Sequence, residues 1–285
     1  MPRFFKIAYE YFALYTSLAL LGLICLTWSV FALPLYYLLP PNLGKKVGRR
    51  GIMRGFRLYA WSLSVTRTYH LDLSAIDSLR GGPSLILAPN HPSLIDALLI
   101  LTRHPDIVCV MKAELMKNIF LGAGSRLARY VPNESPRQMV KESVAHLHQP
   151  GCVLLLFPEG TRTREWPINP LAASVGLIAK RAAVPVQTLV IETDSPFLSK
   201  GWPLFRRPRL PIVYRVRLGK RFDPPENAGA FTEELARYYR QELDGAQGEI
   251  ERAGASRQTL PPPCLGTCIH PCILTRIILN NETQF

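Results

Sequence analysis

The sequence predicts an α/β domain with a mostly parallel or mixed sheet covered by helices, and three observations carry that prediction. Short apolar runs rich in Val, Ile and Leu recur between residues 84 and 218. Stretches of helical length and character lie between them. Two of the runs end in turns rich in Pro, Gly and Asn, the punctuation expected where a strand hands over to a helix.

The first 80 residues stand apart from this pattern. From Tyr11 to Leu39 no residue is charged, a run longer than the roughly 20 residues that a spanning helix needs. It is too long for a cleaved signal peptide and has no small-residue cleavage site. We therefore expect residues 1–44 to be an N-terminal membrane anchor, either a single span or a kinked segment re-entering one leaflet. Lys45, Lys46, Arg49, Arg50, Arg54 and Arg57 follow it, against Arg3 and Lys6 in front, which places the remainder on the cytoplasmic face. Residues 45–80 read as a basic interfacial linker and helix, with Tyr59, Trp61 and Tyr69 available to sit among head groups.

The catalytic-type domain is expected over 81–252. Its strands are read at Ser84–Pro89, Ile107–Met111, Val153–Phe157, Val186–Ile191 and Ile212–Leu218. Its helices are read near Leu94–Leu101, Pro136–His148, Leu171–Ala182 and Phe231–Ile250. Residues 253–285 change to Ser, Pro, Cys and Thr and are expected to be a tail without fixed structure. Cys264, Cys268 and Cys272 crowd that tail around His270, but their spacing does not fit a zinc site. Cys25, Cys109 and Cys152 lie in apolar runs and read as core residues in a reducing compartment. The net charge of +13 suits an anionic surface. No nucleic-acid-binding motif accompanies it, so membrane lipid is the expected partner.

Two motifs carry chemistry. Asn90-His91-Pro92-Ser93-Leu94-Ile95-Asp96 follows the first domain strand and opens a helix. Ser93 and Asp96 have capping-box spacing, and a carboxylate so placed can hold the neighbouring imidazole in one tautomer. His91 is then fit to take a proton from a bound hydroxyl, with Asp96 orienting it. Phe157-Pro158-Glu159-Gly160-Thr161-Arg162 follows a second apolar strand and adds an anion-binding residue. Together they suit acyl transfer to a hydroxyl. Ser174, in Ala172-x-Ser174-x-Gly176, has the outline of a hydrolase nucleophile elbow but lies in a helical run without a preceding strand.

With both motifs in hand, the chain resembles the lysophospholipid and 1-acylglycerol-3-phosphate O-acyltransferase family, whose motifs read NHxxxxD and FPEGTRS. Lys112-Ala113-Glu114-Leu115 and Val184-Pro185-Val186 resemble two further family segments. The resemblance implies the family's mixed sheet covered by helices and a reaction without a covalent enzyme intermediate. His91 and Asp96 would be catalytic, and Asn90, Glu159, Gly160, Thr161 and Arg162 would shape the acceptor site. Acyl-CoA or acyl carrier protein would be co-substrate, with no metal and no other cofactor. Two positions depart from the family. Asn133 stands where an arginine is thought to hold the acceptor phosphate, and Ala172 stands where phosphate-binding members often carry a lysine. Neither replaces the lost charge. The departures suggest an acceptor other than simple lysophosphatidate, unless Arg126, Arg129, Arg137 or Arg164 supplies the charge. An ordinary 1-acylglycerol-3-phosphate acyltransferase and a non-catalytic lipid-binding protein of the same fold are the competing readings. Arg206, Arg207 and Arg209, beside Trp202 and Phe205, form a basic and aromatic loop suited to anionic lipid or an acidic carrier protein.

Overall fold

The computed structural model describes residues 3–203 and 206–258. They divide after residue 247, and the second unit is represented only by the end of the last helix. In chain order the elements begin with α1 (Arg3–Leu38), α2 (Pro41–Val65), β1 (Tyr69–Asp72) and a short 3-10 turn. Next come β2 (Leu85–Pro89), α3 (Asp96–Leu101), β3 (Ile107–Met111), α4 (Ala113–Met116) and α5 (Gly122–Ala128). β4 (Val131–Pro132), α6 (Pro136–Leu147), β5 (Val153–Leu155) and α7 (Ser174–Ala182) follow. The chain closes with β6 (Val186–Thr193), β7 (Ile212–Phe222) and α8 (Ala228–Gln258). The Cys264, Cys268 and Cys272 cluster and the rest of the tail from residue 259 lie outside the described residues. Cys25, Cys109 and Cys152 are buried free thiols.

One seven-stranded sheet runs β1-β7-β6-β2-β5-β3-β4. It is parallel except at β6 and β7, so the expected mixed sheet is what forms. β2 sits at its centre with β6 on one side and β5 on the other. All five of its residues are buried, which is why it reads as an unbroken apolar run. The strands β2, β5 and β6 end together at one edge. That shared edge gathers the loops carrying both motifs, as ligand sites gather in open α/β sheets.

The sequence reading missed β1 and β4, which are four and two residues long. It also placed Tyr59 and Tyr69 at the membrane interface, and here the structure corrects it. Tyr59 is 3% exposed and Tyr69 6%, whereas Trp61 is 63% exposed. The cause is geometric. α2 buries Gly44, Gly48, Ile52, Phe56, Tyr59 and Leu63 along one face, at the spacing of a helix stripe. Tyr69 faces inward at the start of β1.

Glycines let α1, α2 and α5 approach closely. A Cβ on Gly51 would fall 2.1 Å from the Trp28 ring, and one on Gly124 2.8 Å from it. A Cβ on Gly48 would fall 2.5 Å from the backbone nitrogen of Ala128. Backbone cannot move aside as a side chain can, and overpacking of this kind costs about 1–3 kcal/mol. Gly48→Ala should therefore lower stability by about that amount, measured as a fall in melting temperature in detergent. An unchanged melting temperature would mean that α2 and α5 do not pack this closely.

Candidate active site

The backbone turns sharply after β2 and delivers His91 beside the start of α3. The Asp96 side chain folds back under that turn. Its Oδ2 accepts hydrogen bonds from His91 Nδ1 at 2.8 Å and from the Ser93 backbone N–H at 2.8 Å. Its Oδ1 accepts from the Tyr214 hydroxyl at 2.6 Å. Half of the expected capping box forms, because Ser93 Oγ donates instead to the Phe197 carbonyl at 2.9 Å. Asp96 is completely buried.

Burial pushes the Asp96 carboxyl above the ordinary carboxylate range, and its bonds to His91, Tyr214 and Ser93 oppose that shift. A carboxylate that only accepts is matched here by groups able to donate. Tyr214 remains a donor, since burial and then the neighbouring Asp96 hold its hydroxyl well above the usual range. With Nδ1 donating to Asp96, the lone pair of the neutral ring lies on Nε2. The ring also stacks on Phe157, with centroids 3.9 Å apart. The imidazole is thus fixed by a carboxylate on its edge and an aromatic ring on its face.

Glu159 ties the second motif to the first. Its Oε1 accepts from the His91 backbone N–H at 3.0 Å and from Thr163 Oγ1 at 2.8 Å. Its Oε2 accepts from the Asn169 backbone N–H at 3.0 Å. The Thr163 N–H donates to the His91 carbonyl at 2.8 Å. Burial raises the Glu159 pKa, and the bonds from Asn169, Thr163 and His91 offset it. Gly160 has φ +63°, a conformation that glycine adopts without strain. Asn90 uses both ends of its amide on Ile191 of β6, donating at 3.0 Å and accepting at 2.7 Å.

Three further cations lie close enough to Lys200 to act on its charge. Arg162 Nη1 donates to the Leu198 and Ser199 carbonyls at 2.8 and 3.0 Å. Lys200 Nζ donates to Thr161 Oγ1 at 2.6 Å. Partial desolvation, then Arg164, Lys112 and Arg162, pushes the Lys200 ammonium below the usual lysine range. The structure thus gathers His91, Asp96, Glu159, Thr161 and Arg162, whereas Asn90 is turned toward the sheet. Tyr214 and Lys200 complete the arrangement without a local sequence signal, since they lie far along the chain. Among the described residues no group of acidic, His and Cys side chains could hold a metal.

Residues 70–192 match the family model described as Acyltransferase. The chain carries an acyltransferase domain. A 1-acyl-sn-glycerol-3-phosphate acyltransferase from Limnanthes douglasii is 28% identical over 153 residues, 52% of each chain. The match spans about half the length of that curated relative. The crystal structure of the 1-acyl-sn-glycerophosphate (LPA) acyltransferase from Thermotoga maritima superposes with a TM-score of 0.63 at 17% identity. It covers 87% of this chain and 98% of that one, and shows the same fold. The family read from the two motifs is borne out by the domain match and the curated relative.

The acyltransferase domain holds a carboxylate where burial disfavours charge, which gives a linked stability effect. A raised folded pKa means that folding favours the protonated form. The Asp96 contribution is therefore full below its unfolded value and is lost as pH rises through the folded value. Asp96→Asn keeps the shape, and Tyr214 can rotate to accept from the new amide. Its melting temperature should equal that of the wild type in acid and rise increasingly above it as pH climbs, followed by calorimetry. A variant destabilised equally at every pH would contradict this account.

Proposed function

We propose that the chain is a membrane-associated O-acyltransferase with His91 as general base. The acyl group comes from a thioester of CoA or acyl carrier protein. The acceptor is the hydroxyl of a lysophosphatidate-type lipid. His91 Nε2 takes the hydroxyl proton as the oxygen bonds to the thioester carbonyl carbon. Collapse of the adduct breaks the C–S bond, and the thiolate leaves with the proton returned from His91. Asp96 holds the ring and faces the positive charge that develops on it during transfer, while Glu159 positions the two loops. A thioester is already activated, so a positioned base can suffice.

The observation that carries this reading is the imidazole locked at Nδ1 beside the cluster of Arg162, Arg164, Lys112 and Lys200. That cluster supplies the positive charge missing at Asn133 and Ala172, and it favours a phosphate-bearing acceptor over a neutral one. Of the arginines considered from sequence, Arg164 belongs to the cluster.

The same reading explains α1. It is long and apolar enough to cross a membrane, and most of its surface is exposed. Yet Glu10 pairs with Arg207, the Tyr9 hydroxyl donates to the Thr66 carbonyl, and Ser29 Oγ donates to the Phe120 carbonyl. Residues 10 and 29 lie about 28 Å apart along a helix. A helix held by the domain at both points suits one leaflet, with its exposed aromatic and aliphatic side chains in lipid. The exposed Leu58, Trp61 and Val65 of α2 extend that surface. Arg207 of the basic loop serves this contact.

Transfer of a labelled acyl chain from acyl-CoA or acyl carrier protein to lysophosphatidate and to monoacylglycerol tests the reading. His91→Ala should lower turnover about 10²–10⁴-fold. Lys200→Gln should raise KM for lysophosphatidate about tenfold or more while leaving monoacylglycerol unaffected. Equal turnover by wild type and His91→Ala would remove the base from this mechanism. An equal effect of Lys200→Gln on both acceptors would remove the phosphate from the cluster.

A further inference from the structure

A second electropositive site lies away from His91, beyond the edge strand β4. An open cavity of about 490 Å³ is lined by Tyr36 and Lys45 of the α1–α2 elbow, Arg126 and Arg129 around the end of α5, and Glu142 and His146 of α6. β4 is three strands from β2, about 14 Å at normal strand spacing. The cavity shares no lining residue with the cluster around Lys200.

Three features show a place prepared for an anion. Lys45, Arg126 and Arg129 make no ion pair among the described residues. Lys45 Nζ donates to Gln149 Oε1 at 2.9 Å, and Arg129 lies over the Tyr36 ring at 4.9 Å. The one lining carboxylate, Glu142, accepts from Gln138. Behind this wall, one helical turn after Lys45, Arg49 is only 8% exposed. Its Nε donates to the Ala128 carbonyl, but its buried Nη2 has no partner, and neither has the buried Nδ1 of His146. Burial disfavours the Arg49 charge, Asp106 offsets that only in part, and an anion held in the cavity would favour the charge further.

Position identifies the source of the anion. Tyr37, Leu38 and Leu43, next to the lining residues Tyr36 and Asn42, are exposed apolar side chains at the elbow of the two helices. An anionic group bound there would have hydrocarbon-compatible surface directly beside it. We propose that the cavity binds the phosphate of an anionic membrane phospholipid, separate from the lipid that reacts. Bound lipid fixes the elbow against α5 and α6, and so orients the domain on an anionic membrane.

The full chain is tested on vesicles of phosphatidylcholine alone and of phosphatidylcholine with phosphatidylglycerol. Lys45→Gln/Arg129→Gln is compared with Lys46→Gln/Arg50→Gln, which removes the same charge from exposed positions of α2. The cavity pair should weaken binding to the anionic vesicles about tenfold more than the exposed pair does. Equal losses would reduce the effect to general surface charge and overturn the proposal. Short-chain phosphatidylglycerol should raise the melting temperature of the wild type and not that of Lys45→Gln/Arg129→Gln. Inorganic phosphate should give a smaller rise. A rise as large with inorganic phosphate overturns the lipid source, and no rise with either compound overturns the site.

Discussion

The site depends on keeping one carboxylate, Asp96, completely out of water. Desolvating such a group costs several kcal/mol, and hydrogen bonds to a charged group return about 1.5–3 kcal/mol each. Asp96 is bonded to His91, Ser93 and Tyr214. Two of these come from its own turn and the third from β7, which lies beyond β6 from the strand that delivers His91. The Tyr214 bond to Asp96 is thus made only when β7 has joined the sheet.

Glu159 applies the same constraint to the second loop. It is a buried carboxylate whose bonds are all to the loops it joins. Between them, the two acids convert turns from β2 and β5 into one wall with His91 stacked on Phe157. In the reading proposed here the cations stand at the open side of that wall. Negative charge inside orients the base, and positive charge outside receives the phosphate.

Legibility from sequence followed the range of the interactions. His91 and Asp96 are five residues apart, so their pairing is local and the motif displays it. β2 and β6 announce themselves because buried parallel strands are continuous apolar runs. β1 and β4 were not legible, because strands of four and two residues carry too little periodicity. Tyr69 looked like an interfacial aromatic since nothing in its neighbours reveals the inward face of β1. Tyr214 and Lys200 reach the site only through sheet order and the loop after β6. Asn90 sits within the motif, yet its partner Ile191 is on another strand, and no local pattern could show that its amide is spent there.

The central claim is that Asp96 fixes His91 with its proton on Nδ1 and its free lone pair on Nε2. The most direct measurement is ¹⁵N NMR of the protein labelled in its imidazoles, with His91 assigned by comparison with His91→Ala. The account predicts a protonated Nδ1 and an unprotonated Nε2 in the neutral ring, and a mixture of tautomers in Asp96→Asn. A neutral ring protonated on Nε2 in the wild type, or a tautomer indifferent to Asp96, would contradict it.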